Sequence, residues 1–124
     1  MRPEILFLTD IVEAGDAIAR FLEDVERRDF LDDELRQSAV MHKLIIIGEA
    51  AGRLSGELLI RHSRVEWRDI ISFRNFAVHD YFGVNWDTVW ATATQDVPSL
   101  RSYVAEILGQ IETDASQLGS EKPG

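Results

Sequence analysis

The chain has 124 residues, 45% of them hydrophobic and none of them cysteine, with a net charge of −9. That length suits one domain around a single core, and the missing thiols exclude a disulfide scaffold, thiolate catalysis and a Cys-ligated metal. The acidic balance argues against a general nucleic-acid binder, because phosphate affinity comes mainly from Lys and Arg. The longest apolar run, Leu44-Ile45-Ile46-Ile47, is far too short for a membrane span, and the N-terminus has no signal-type apolar stretch. The expectation is a cytoplasmic protein that does not engage a membrane.

In chain order, Ile5, Leu8, Val12, Ile18 and Leu22 recur at helical spacing and predict an amphipathic helix over 4–24. The charged stretch 25–32 breaks the pattern and reads as a loop. A second helix is expected over 33–54, with Asp32 or Asp33 as its N-cap and a centre that is apolar almost all round. Gly48, Gly52 and Gly56 fall four apart and predict close packing along one stripe. Residues 57–61 read as a short helical piece and 67–82 as a third major helix stopped by Gly83. A short fourth helix follows from Trp86, capped by Asn85. A separate last helix enters at Pro98 behind an Asp96 cap. Residues 1–112 make one helical domain, and 113–124 read as a polar tail that frays. The fold class is all-α, an up-and-down bundle of four to five helices.

Charge and chemistry concentrate after residue 52. Arg53, Arg61, Arg64, Arg68 and Arg74 face only Glu57, Glu66 and Asp69 in the same stretch, so a local positive zone is expected on an acidic body. On the third helix, Trp67, Ile71, Arg74, Val78 and Tyr81 share one stripe, while Asn75 and His79 stack four apart on the adjacent face. Arg74 and His79 are five apart, roughly 140° round an ideal helix. The arginine's reach, fraying of the helix end, or assembly across two copies would each bring them together. The three histidines lack metal-ligand spacing, so neither a metal nor a cofactor is expected.

The string Arg74-x4-His79-x-Tyr81 resembles the Arg-x4-His-x-Tyr signature of HEPN-domain toxins of the HepT type. Leu44 to Ala51 resembles that family's Ile-Gly-Glu-Ala helix. The segments 65–70, 81–90 and 96–100 resemble its flanking blocks, so the likeness covers residues 4–112. The resemblance implies a HEPN-like bundle that forms a homodimer, with the motif helices near the symmetry axis. It implies a type VII toxin acting as a metal-independent endoribonuclease on RNA rather than DNA. His79 would transfer protons and Arg74 would stabilise charge on the phosphoryl oxygens. The four-residue spacing from His79 suggests that Asn75 orients the phosphate or the imidazole. Tyr81 would receive AMP from a nucleotidyltransferase antitoxin and thereby silence the site. A non-catalytic HEPN module that binds a nucleotidyltransferase or a nucleotide is the alternative.

Overall fold

The computed structural model describes the backbone of residues 2–121 and the side chains of residues 4–117. Helix α1 (Arg2–Phe21) buries Leu8 and Ile18 of the expected stripe together with Ile11 and Ala14, while Val12 is half-buried and Ile5 is exposed. The chain then turns through Asp24, whose φ of 60° is the left-handed conformation that Asp and Asn tolerate best after Gly. Helix α2 (Arg27–Leu31) occupies the stretch read as a loop. Its charges face solvent, but Phe30 is fully buried against the rings of Trp86 and Trp90, at centroid distances of 6.2 and 5.4 Å. One anchor thus turns a charged segment into a helix.

Helix α3 (Glu34–Gly52) starts where Asp33 accepts a hydrogen bond from the Arg36 backbone N–H. The same carboxylate takes the Arg36 guanidinium, and these bonds hold its pKa below the ordinary carboxylate value. Val40, Met41, Leu44, Ile47, Ala50 and Ala51 are buried, as the all-round apolar centre predicts. Ser55 caps helix α4 (Gly56–Arg61) and also binds the Glu4 carboxylate through its backbone N–H and hydroxyl, at 3.0 and 2.6 Å. The start of α4 is thereby tied to the start of α1.

Helix α5 (Trp67–His79) carries the motif and ends sooner than expected. Asp80 leaves the helical conformation at φ −143°, and Tyr81–Gly83 form a 3-10 turn. Helix α6 (Trp86–Ala91) follows, with Asn85 accepting from the Asp87 and Thr88 N–H groups as its cap.

A separate last helix does not form. The chain continues from α6 through a π-helical turn, Thr92–Asp96, into α7 (Val97–Glu121), so Asp96 is no cap. Pro98 explains the widened turn: it has no N–H, and its ring would collide with the carbonyl four residues back in a regular α-helix. The stretch read as a tail continues α7, with residues 112–117 exposed; residues 122–124 lie outside the described part.

Helix α1 packs against both α3 and α7, and α5 lies against α3. Asp16 on α1 receives Arg101 of α7 at 2.8 Å, fixing that pair. Among the described residues there are helices and turns and no strand, so the fold is the all-α bundle expected. No helix is long and apolar enough to cross a membrane among the residues described.

Candidate functional site

The pairing of α3 with α5 builds the site. Gly48 meets α5 at Arg74 and Ile70: a methyl placed there would overlap the Arg74 Cβ and lie 3.3 Å from the Ile70 carbonyl oxygen. Only glycine permits this approach. The expected glycine stripe is therefore real at one of its three positions. Gly52 ends α3 and Gly56 begins α4, and nothing lies within 4 Å of a Cβ at either.

Arg74 leaves α5 facing α3, but its guanidinium turns to the flank. Nη1 donates to Asn75 Oδ1 at 2.9 Å, and Nη2 stands 3.7 Å from the Glu49 carboxylate. The latter distance is an ion pair too long for a hydrogen bond, so donors on the guanidinium stay available. Its Nε is buried without an acceptor, a cost of about 1–3 kcal/mol that favours reorientation once an anion arrives. Asn75 is one helical turn before His79, and both are exposed. The arginine's own reach therefore spans much of the angle between Arg74 and His79 within one chain.

Asn75 binds Arg74 and not the imidazole. His79 ends α5 with no hydrogen-bond or ion-pair partner among the described residues.

Tyr81 does not continue the arginine's stripe, because α5 has ended. Its ring packs edge-on against Trp86 and Phe82, at 5.9 and 5.6 Å, and its hydroxyl lies 3.3 Å from Ser38 Oγ. Ser38 and Gly48 are ten residues apart on α3, roughly 15 Å along the axis. The tyrosine hydroxyl accordingly marks the His79 end of the site rather than the Arg74 end.

The positive zone disperses. Arg53 sits over the Phe7 ring, Arg61 pairs with Glu57, and Arg64 lies over Tyr103. Among the described residues, no three His, Cys, Asp or Glu side chains converge as a metal site.

Comparison with known proteins gives one consistent result. Residues 11–107 match the family described as Ribonuclease HepT-like. The chain belongs to the HepT-like ribonuclease family. It is 37% identical over 95 residues to a Thermococcus cleftensis protein named probable ribonuclease HepT, covering 77% of this chain and 86% of the relative. A relative from Caldanaerobacter subterraneus subsp. tengcongensis with a provisional RNase name is 33% identical, covering 82% and 91%. A provisionally named RNase of Methanocaldococcus jannaschii is 30% identical, covering 79% and 90%. No solved structure matches.

In this HepT-like chain the exposed face of α5 has more polar members than the motif. Arg68, Ser72, Asn75 and His79 follow one another at offsets of four, three and four, and all four are exposed. That spacing is readable in the sequence, where Arg68 stands out only as one of the basic residues and Ser72 not at all. Glu49 was likewise legible only as part of the Ile-Gly-Glu-Ala resemblance, and its contact with Arg74 needed the fold.

Proposed function

We propose that this chain is a metal-independent endoribonuclease and the toxin of a type VII toxin–antitoxin pair, using Arg74 and His79. The observation that carries this is the Arg74 guanidinium anchored on Asn75, one turn from an unpartnered His79 on an open helix face. RNA cleavage without a metal needs a group to move protons and a cation to hold the phosphoryl oxygens. The ribose 2′-oxygen attacks the adjacent phosphorus, the bond to the 5′-oxygen breaks, and a cyclic phosphate and a 5′-hydroxyl result. An imidazole changes charge near neutral pH and suits the proton transfer. A guanidinium presents paired donors to two phosphoryl oxygens. Asn75 holds that guanidinium on the exposed side and keeps its own amide N–H groups for the phosphate. Arg68, two turns before Asn75, extends the donor track along the substrate backbone.

Silencing by AMP fits the Tyr81 end of this face. The phenolic oxygen would form a bond to the α-phosphorus of ATP as pyrophosphate leaves, in a reaction catalysed by a nucleotidyltransferase antitoxin. The added phosphodiester carries negative charge beside His79, where substrate phosphate must approach. The protein acts as a homodimer in this proposal, with the exposed Val78 and Phe82 near the site available to a second copy.

The test uses the purified full chain with total RNA, with and without a chelator. Cleavage that survives chelation and falls at least 100-fold in Arg74→Ala and His79→Ala is expected. Intact RNA with the wild-type protein, or equal cleavage by the variants, sinks the proposal and favours a non-catalytic binding module. Mass analysis after incubation with the antitoxin and ATP should place AMP on Tyr81.

A further inference from the structure

We infer that His42 is a second proton-transfer group of the same site, working opposite His79; this rests on the ribonuclease reading above. The argument is one of register and face. Gly48 meets Arg74 while Ser38 meets Tyr81, so α3 and α5 run antiparallel. Measured along α3 from Ser38, His42 stands at roughly 6 Å and Gly48 at roughly 15 Å. His79 lies roughly 7.5 Å along α5 from Arg74, toward Tyr81. With Arg74 level with Gly48, His79 comes to within about 2 Å of the height of His42.

The two histidines also share a side. On α3, His42 and Glu49 point within about 20° of each other, and on α5, Asn75 and His79 within about 40°. The Arg74 guanidinium reaches both Glu49 and Asn75, which places those two flanks on the same side of the helix pair. His42 and His79 are both exposed, and neither has a hydrogen-bond or ion-pair partner among the described residues. The close approach of α3 and α5 at Gly48 keeps these two flanks adjacent, so both imidazoles border the same strip of surface.

The reaction gives two such groups distinct work. One imidazole accepts the 2′-hydroxyl proton as the 2′-oxygen bonds to phosphorus. The other, protonated, gives its proton to the 5′-oxygen as the phosphorus–oxygen bond breaks. Exchange with water restores both, so the cycle balances without a metal or redox partner.

Sulfur at the leaving position separates the two tasks, because a thiolate departs without a proton. A short RNA spanning a mapped cleavage position is made with the 5′-bridging oxygen or with sulfur in its place. His42→Ala and His79→Ala, each checked for wild-type helicity, should both cleave the oxygen substrate at least 100-fold more slowly than wild type. Sulfur should restore one variant to near the wild-type rate and leave the other slow. His42→Ala that cleaves the oxygen substrate at the wild-type rate overturns the inference and leaves the ribonuclease reading standing. Rescue of both variants or of neither overturns the division of labour. A wild-type protein that cleaves neither substrate overturns the ribonuclease reading and this role with it.

Discussion

Gly48 is the residue on which the site turns. A methyl at this position collides with the Arg74 Cβ, an atom fixed to the α5 backbone and unable to swing away. Gly48→Ala should therefore cost about 1–3 kcal/mol by overpacking, despite the gain of up to about 1 kcal/mol in helix propensity. Gly52→Ala is the control, because nothing lies within 4 Å of its added Cβ. It should be neutral or stabilising by less than about 1 kcal/mol. Urea denaturation of the two variants decides the matter; midpoints moving together would show that α5 does not press on α3 at Gly48. Arg74 and His79 were legible in the sequence as a motif. How the guanidinium escapes its own stripe was not, since that depends on Glu49 and on Asn75 accepting rather than donating.

At the scale of elements, regular periodicity was readable and single long-range anchors were not. The apolar centre of α3 and the Asp33 and Asn85 caps follow from local spacing, and the structure places them as expected. Helix α2 escaped notice because its stability rests on Phe30 meeting Trp86 and Trp90, far along the chain. The end of α5 escaped for a similar reason: Tyr81 is held by Trp86 and Ser38, neither of which belongs to its own helix. Trp86 touches both Phe30 and Tyr81, so the small helix supports the turn that carries the proposed modification site. Phe30→Ala should cost about 3–5 kcal/mol and weaken near-ultraviolet tryptophan ellipticity. A loss under about 1 kcal/mol in a denaturation experiment would mean that this trio is no part of the core.

For the whole molecule, several large apolar residues are left uncovered: Leu6 and Ile60 on α1 and α4, and a group on α3, α5 and the turn after it. Phe82 is 98% exposed and Leu35 82%, one turn before Ser38, while Phe76 and Val78 on α5 are about half exposed. Exposed aromatic and aliphatic groups of this size concentrate where another surface covers them. Sedimentation equilibrium of the wild type should report a dimer, and Val78→Glu combined with Phe82→Glu a folded monomer. A monomeric wild type at tens of micromolar protein would remove the second copy from the proposal.

Behind α5, on the side away from His79, a cleft of about 600 Å³ separates it from α7. Leu44, Ile47, Ile70, Phe73 and Leu100 line its floor and walls. The motif helix consequently has one long neighbour, α3, against which Gly48 sets the closest approach, and open space on its α7 side. It is mounted like a hinged leaf rather than a beam fixed at both edges. Small tilts about that line would carry Arg74 and His79 together, keeping their spacing while changing their height over a bound strand. In the proposed ribonuclease, a face mounted this way would follow an uneven RNA backbone without rearranging the rest of the bundle.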